Sequence, residues 1–174
     1  NSSLTFTSAN WDTPQTVTVT GADDSIIDGT ITSIATVAVD DANSDNDFDA
    51  VADQTVSVDT TDDDVAGFTI VELDGATEVD ESGTTDTFTV VLDAQPSDNV
   101  VIAMSSSDIG EATISGTISF TPANWDTPQT VTVTGIDEDI VDGTITSTIT
   151  IAVDDANSDD DFDVVVDQTV SVDT

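Results

Sequence analysis

The sequence predicts an all-β protein built from tandem copies of a β-sandwich, and three observations support this prediction. Val, Ile, Thr and Phe alternate over short stretches bounded by Gly, Pro, Asp and Asn, as is typical of strands. No stretch shows the apolar period of 3.6 residues that marks an amphipathic helix. The chain also repeats its own sequence, so one fold unit must account for both copies.

The repeat is clearest in the segment ANWDTPQTVTVTG, which occurs at residues 9–21 and again at residues 123–135. The offset of 114 residues holds without a gap between residues 4–60 and residues 118–174, and about three-quarters of the aligned pairs are identical. Such close internal similarity indicates a tandem array of one structural unit.

The repeat divides the chain into two parts. Residues 66–174 form one nearly complete unit, and residues 1–65 form the C-terminal part of a preceding unit. A fragment of that size does not close a hydrophobic core by itself. We therefore expect its missing strands to come from a longer array or from a neighbouring chain.

The complete unit contains the signals for seven antiparallel strands. They are predicted near residues 66–72, 85–93, 98–105, 117–121, 129–135, 144–154 and 167–173. In the segment QTVTVTG, we expect Val131 and Val133 to point inward and the intervening Thr residues to point outward. Along residues 144–153, one face should carry Ile145, Ser147, Ile149, Ile151 and Val153. Seven strands at this spacing predict an immunoglobulin-like seven-stranded antiparallel β-sandwich.

The charge of the chain restricts its partners. There are 37 Asp and Glu residues and no Lys, Arg or His, so the formal net charge is -37. Self-repulsion on this scale opposes compaction, and it favours disorder unless cations are present, although the regular alternation of apolar residues argues for a fold. Without basic residues, we expect no binding to nucleic acid or to anionic lipid. No apolar run is long enough to insert into a membrane.

Three segments of the sequence resemble one known family. They are TDDDVAGFTIVE at residues 61–72, VDESGTTDTFTVVL at residues 79–92 and ISFTPANWDTPQTVTVTGIDEDIVDG at residues 118–143. These resemble the domain junction, the acidic turn and the acidic loop of the Calx-β domains, which occur in sodium–calcium exchangers and in tandem arrays of bacterial surface proteins. The resemblance extends over essentially the whole chain and implies a seven-stranded sandwich that binds calcium.

The resemblance also implies where calcium binds. In the family, the acidic turn, the acidic loop and the junction triplet meet at one end of the sandwich. The ligands implied in the first unit are Asp23, Asp24, Asp28, Asp62, Asp63 and Asp64. Those implied in the second unit are Glu81, Asp137, Glu138, Asp139 and Asp142, and its junction triplet would lie beyond Thr174. Clustered carboxylates are the ligands that Ca²⁺ prefers, whereas consecutive like charges on a merely solvated, salt-adapted surface repel one another.

A further acidic loop, DANSDDDFD, lies at residues 155–163. Its alternation is similar to that of an EF-hand, but Asp160 stands where the invariant Gly is expected and Val166 stands where Glu is expected. The loop is therefore not an EF-hand. It remains a candidate calcium-binding loop between strands, with Asp155, Asp159 and Asp161 as candidate ligands.

Catalysis is not expected. Without Cys or His, the chain cannot assemble a thiol nucleophile or a Ser–His–Asp triad. Paired carboxylates can hydrolyse glycosides, but they need a pocket with aromatic walls, and aromatic residues make up only 5% of the chain. The two Trp residues, Trp11 and Trp125, are expected to cover the open end of a sandwich, with sugar binding as the alternative.

These observations predict a structural role outside the cell. We expect the repeats to form a calcium-rigidified stalk or filament of a bacterial surface or adhesin-type protein. The partners would be neighbouring repeats of the same protein, or identical chains in a filament. Two alternatives remain open, a module that binds a glycan or a protein, and a fibre subunit that assembles by strand exchange.

Overall fold

A computed structural model of the chain describes residues 3–141 and 143–174 and consists of strands, short 3-10 helices and loops. The strands are β1 Ile31–Val37, β2 Gln54–Thr60, β3 Phe68–Glu72, β4 Thr77–Glu78, β5 Thr85–Leu92, β6 Val100–Ser106, β7 Ala112–Ile114, β8 Thr117–Phe120, β9 Gln129–Gly135, β10 Thr146–Val153 and β11 Gln168–Asp173. The 3-10 helices are Asp41–Asn43, Asn46–Phe48, Asp155–Asn157 and Asp160–Phe162. The predicted all-β class is confirmed.

The second unit is a sandwich of two sheets. One sheet has the strand order β3-β5-β9-β7 and the other has the order β4-β11-β10-β6-β8. All pairs are antiparallel except β4 with β11, which are parallel. Strands β3, β5, β7 and β9 thus form one layer, and strands β4, β6, β8, β10 and β11 form the other, which is an immunoglobulin-like arrangement.

Alternation along the strands builds the core between these sheets. In β9, Val131 and Val133 are fully buried, whereas Thr130, Thr132 and Thr134, which alternate with them, are not, as predicted. Aromatic side chains of β5, β8 and the loop after β10 fill the centre, and Phe88, Phe120 and Phe162 are all fully buried. Apolar side chains from both sheets therefore enclose one continuous core.

The structure adds two strands that the sequence did not predict. Strands β4 and β7 have only two and three residues, too few to show an alternating pattern. Ser115 and Gly116 alone separate β7 from β8, yet these strands pair in opposite sheets. The chain therefore crosses from one layer to the other at this point, where the prediction had a single strand at 117–121.

The first unit contains only one described sheet, the hairpin β1-β2. Its register reproduces that of β10-β11, because Thr32 faces Asp59 as Thr146 faces Asp173. In both hairpins, the Thr hydroxyl donates a hydrogen bond to the Asp carboxylate, at 2.7 Å and 2.6 Å. The two strands of a hairpin are each other's partners, so the same pairing forms in both copies.

Other segments of the first unit lack partners and lack regular structure. Residues 15–21 repeat the sequence of β9 but form no strand, and Val17 and Val19 are each 55% exposed. In the second unit, the same sequence is held between β5 and β7. Val17 and Val19 therefore lie outside the core that encloses their counterparts Val131 and Val133.

Candidate metal site at the joint between the units

An open groove with a volume of about 380 Å³ lies in the first unit, lined by residues between 19 and 64, and it ends at the link to the second unit. Its lining includes the acidic loop of the first unit and the triplet that precedes the second unit. The carboxylates on the groove are Asp23, Asp24, Asp28, Asp62, Asp63 and Asp64. These are all six ligands that the sequence implied for the first unit, so the fold brings them to one place.

Asp62 organises this groove through its hydrogen bonds. Its carboxylate accepts from the backbone N–H groups of Asp28 and Gly29, at 2.9 Å and 2.8 Å, across 34 and 33 residues of sequence. It also accepts from the N–H of Asp64 at 2.9 Å. These bonds, led by the one from Asp64, lower the pKa of Asp62 below its usual value. Asp62 thus ties the acidic loop to the junction triplet as an anion.

The environment of Asp64 is the opposite. Partial burial raises the pKa of Asp64, and the negative charges of four neighbouring carboxylates raise it further. Those neighbours are Asp62, Asp63, Asp23 and Asp24. With no basic side chain in the sequence, no protein cation can offset this repulsion. A bound cation would relieve it.

The acidic loop of the first unit also contacts the second unit. Ile26 forms an isolated parallel bridge with Gln95, and the Gln95 N–H donates to the Ser25 carbonyl at 2.7 Å. Ile27 packs against the core of the second unit. The groove therefore adjoins a real inter-unit contact, which involves the turn between β5 and β6.

In the second unit, the acidic turn meets the start of the acidic loop. The N–H of Gly135 donates to the Thr84 carbonyl at 3.0 Å, and the N–H of Val79 donates to the Asp173 carbonyl at 2.9 Å. The turn with Glu81, the loop with Asp137, Glu138 and Asp139, and the end of β11 consequently lie at the same end of the sandwich. Asp142 lies outside the described residues.

Within that turn, Asp80 has a structural task. Its carboxylate accepts from the hydroxyl and from the N–H of Ser82, and its own N–H donates to the Thr84 hydroxyl at 2.8 Å. The hydrogen bonds from Ser82 lower the pKa of Asp80. Asp80 closes the turn, whereas Glu81 next to it is the residue implied as a ligand.

The loop at 155–163 folds as two 3-10 helices, and no α-helix flanks it in the described chain. Asp159 is only 6% exposed, and its Oδ2 accepts from the N–H and hydroxyl of Ser97 and from the N–H of Asp98, at 2.6, 2.8 and 2.8 Å. Its Oδ1 accepts from the N–H of Asp161 at 3.1 Å. Burial alone would raise the pKa of Asp159, but these hydrogen bonds together hold it below its usual value.

The rest of this loop is a second acidic cleft. Asp159, Asp160 and Asp161 line it together with Ser97 and Asp98, and its volume is about 330 Å³. Burial, and then the charges of Asp155, Asp160 and Asp159, raise the pKa of nearby Asp163. The hydrogen bonds already made by Asp159 give it a bracing role, while Asp155 and Asp161 remain predicted ligands.

The donor chemistry of the joint fits a hard cation such as Ca²⁺, because it offers carboxylate and backbone oxygens and neither sulfur nor imidazole. As the side chains stand, no three acidic residues in the described ranges are spaced to hold one metal ion. The carboxylates of the joint thus share a groove without forming a closed coordination shell.

Three features of this region were not anticipated. They are the hydrogen bonds from Ser97 to the loop at 155–163, the contact of Ile26 and Ile27 with the next unit, and the close passage of the acidic turn over Gly135. Each depends on contacts between segments far apart in sequence. The Ile pair could have been suspected, since Ile140 and Val141 repeat it within an otherwise acidic loop.

No protein-family model matches the chain, and no curated protein is similar to it. One similar solved structure is SSP-19, an MSP-domain-like family member of Caenorhabditis elegans, with 18% identity, a TM-score of 0.38, and coverage of 57% of this chain and 91% of that one. Another is the Escherichia coli chaperone DraB, with 10% identity and a TM-score of 0.41.

The match to DraB covers 62% of this chain and 55% of the chaperone chain, so the aligned part is about half the length of DraB. The fold assignment rests on the strand order given above, since neither TM-score reaches 0.5. Among the residues described, no helix is long and apolar enough to cross a membrane.

Proposed function

We propose that the chain is a structural segment of an extracellular tandem-repeat protein, similar to the Calx-β repeats, in which calcium stiffens the joints between units. The observation that carries this proposal is the convergence of six carboxylates on one groove of the first unit, three of them in the triplet that leads into the second unit. The protein would then act as part of a stalk or filament of a bacterial surface protein, and its neighbours would be further repeats.

Asp62 holds two acidic segments of the joint together. Its carboxylate links the acidic loop to the junction triplet through the amides of Asp28 and Gly29. Repulsion among Asp64 and the surrounding carboxylates works against this closed arrangement. Calcium held by Asp23, Asp24, Asp63 and Asp64 would supply the missing positive charge, so the loop and the triplet would stay together.

Thermal unfolding followed by circular dichroism tests this proposal. The melting temperature is measured in millimolar calcium and in chelator at the same ionic strength, with magnesium as the control cation. We expect chelation to lower the melting temperature clearly, because a ligand that binds only the folded state stabilises it. Equal melting temperatures under all three conditions would mean that the carboxylates form only a solvated surface, and calcium would then have no part in the proposal.

One observation favours a second candidate, assembly by strand complementation. Five apolar residues of the partial unit are exposed, although their counterparts in the second unit are buried in the core. They are Phe6, Val17, Val19, Phe48 and Val56, at 54–57% exposure, against Phe120, Val131, Val133, Phe162 and Val170, at 0–2%. A segment equivalent to β3–β7 would cover them, whether it comes from the same array or from another copy.

A fragment comprising residues 66–117 provides the test for complementation. Added to the full chain, it should bind with 1:1 stoichiometry and shift the fluorescence of Trp11, which is 72% exposed. The control is a chain in which Val17→Asp and Val19→Asp are combined, because charges on that face should prevent binding. Absence of binding by the unmodified chain would eliminate this candidate.

A further inference from the structure

The acidic loop of the second unit carries an exposed apolar pair, Ile140 and Val141. Ile140 is 62% exposed and Val141 is fully exposed. They lie between Asp139 and Asp142 in one of the most acidic stretches of the chain, where an apolar pair contributes nothing to solubility. Exposed adjacent apolar side chains in such a setting indicate a contact surface.

The repeat shows what covers this kind of pair. The offset of 114 residues places Ile140 and Val141 on Ile26 and Ile27 of the first unit. Of that earlier pair, Ile26 forms a backbone bridge with Gln95 while its side chain is 39% exposed, and Ile27 is half-buried against the core of the following unit. The same loop therefore appears twice in one chain, once with a following unit against it and once with its apolar pair exposed.

We propose that Ile140 and Val141 form the docking contact for the next copy of the unit, and that they sit on its turn equivalent to Ala94–Pro96. The receiving turn is well suited to this contact. Ala94 and Pro96 are buried, Gln95 is half-buried, and the Gln95 side chain donates to the Pro122 carbonyl at 2.8 Å. Its backbone N–H donates to the loop of the preceding unit, at the Ser25 carbonyl.

The contact is both apolar and directional. Val141, at the position of Ile27, would remove most of the apolar surface from water, and the single backbone hydrogen bond would fix the register of the loop on the turn. Asp139 occupies the position of Ser25, whose carbonyl accepts that bond. A carbonyl acceptor is present at any residue, so the change of side chain leaves the bond available.

This inference rests on the proposed function only in assuming that units follow one another, and it does not require calcium. Each joint would then combine two elements, an apolar contact on the turn between β5 and β6 and a carboxylate groove beside it. The first sets which surfaces meet, and the second responds to cations. The two elements can be tested separately.

The first experiment uses the chain as it is and follows hydrogen exchange at the Gln95 amide. Ile26→Ser combined with Ile27→Ser should accelerate that exchange about tenfold or more, because the amide loses its cover and its acceptor. Phe48→Ser combined with Val51→Ser is the control, since both side chains are exposed at the opposite end of the hairpin β1-β2. Unchanged exchange in the Ile26 and Ile27 variant would overturn the proposal by removing its template.

The second experiment extends the chain by a further copy of residues 61–174 after Thr174, with only the added copy labelled with ¹⁵N. The amide equivalent to Gln95 in that copy should be protected, and Ile140→Ser with Val141→Ser should abolish its protection. Val164→Ser with Val166→Ser is the matched control, because these residues are 81% and 80% exposed at the other end of the unit. Tethering keeps the contact intramolecular, so even a weak one is measurable.

Two results would overturn the proposal. One is an unprotected amide at the added turn in the unmodified extended chain, and the other is protection that survives the Ile140 and Val141 substitutions. Rapid exchange throughout the added copy would count against it too, because units that dock in tandem must fold in tandem. Repeating the measurement in chelator separates this inference from the calcium proposal. The docking contact needs no cation, so the amide should stay protected in chelator whether or not the melting temperature depends on calcium.

Discussion

Gly135 lies directly against the main chain of Asp80, and a Cβ built at Gly135 would come within 2.2 Å of the Asp80 carbonyl oxygen. Gly135 ends β9, and Asp80 opens the acidic turn that contains Glu81. The backbone of Gly135 has no positive φ, so the absence of a side chain matters here only for space. The acidic turn and the acidic loop can meet because this position is glycine.

Gly135→Ala should therefore destabilise the second unit by about 3 kcal/mol, since the obstructing atoms belong to the backbone and cannot rotate away. Gly21→Ala is the matched control. Gly21 is the copy of Gly135, and its added Cβ would meet only the Thr60 methyl group at 3.3 Å. Urea denaturation should show a large shift in midpoint for Gly135→Ala and a small one for Gly21→Ala. Equal shifts would contradict the close approach.

Asp159 joins the loop after β10 to the turn before β6, and its removal should loosen that end of the sandwich. Asp159→Ala leaves the N–H groups of Ser97 and Asp98 without their acceptor. The expected loss is about 3 kcal/mol, typical of hydrogen bonds to a buried charged group. Asp45→Ala is the control, because Asp45 is the exposed copy of this residue and its carboxylate accepts a hydrogen bond from the Asp47 N–H within its own turn. It should cost no more than about 1 kcal/mol.

The same carboxylate should also affect acid stability. The pKa of Asp159 is lowered in the folded state, so its contribution is present above the unfolded value of 3.8 and is lost as the pH falls through the folded pKa. Asp64 and Asp163, with raised pKa values, act in the opposite direction, because the folded state takes up their protons first. Denaturation between pH 5 and about pH 2 should thus show a steeper acid loss in the unmodified chain than in Asp159→Asn.

The second unit shows how far a local pattern predicts a fold. The alternation of Val131 and Val133 with Thr correctly predicted a strand with one buried face. The same letters around Val17 and Val19 form no strand, because β5 and β7 have no counterparts beside them. Sequence determines the capacity to form a strand, and a partner strand determines whether it forms.

The candidate site was predictable in composition and not in detail. The resemblance and the acidic clustering identified the carboxylates that line the groove at the joint. They gave no indication that the carboxylates of Asp62 and Asp159 accept hydrogen bonds from backbone amides, since those amides are 33 to 62 residues away in sequence. The ligand list therefore mixes residues available to a cation with residues that already hold loops together.

Ser147 is a polar residue on the buried face of β10, and it offers a test of core packing. Its hydroxyl has no hydrogen-bond partner among the described residues, and the side chain is fully buried. Ser147→Ala should stabilise the chain by about 1 kcal/mol, since it removes an unsatisfied hydroxyl with little loss of volume. Ser33→Ala, at the exposed copy of this position, should change stability by less than about 0.5 kcal/mol. A destabilised Ser147→Ala variant would indicate that the hydroxyl has a partner.

The joint itself is tested by removing the charges of its triplet. Asp62, Asp63 and Asp64 are changed together to Asn, which keeps side-chain size and hydrogen-bonding capacity but removes the negative charges that would hold a cation. In calcium, small-angle X-ray scattering should give a larger spread of dimensions for the Asn variant than for the unmodified chain, because the loop at Asp28 and Gly29 is then held only by neutral amides.

The control changes three other carboxylates to Asn at the opposite end of the hairpin β1-β2, namely Asp40, Asp41 and Asp45. In chelator, the difference between the triplet variant and the unmodified chain should shrink, since carboxylate repulsion at Asp64 then loosens the unmodified joint as well. Identical scattering of the triplet variant and the unmodified chain in calcium would mean that the apolar contact of Ile26 and Ile27 with the second unit holds the joint without help from its carboxylates.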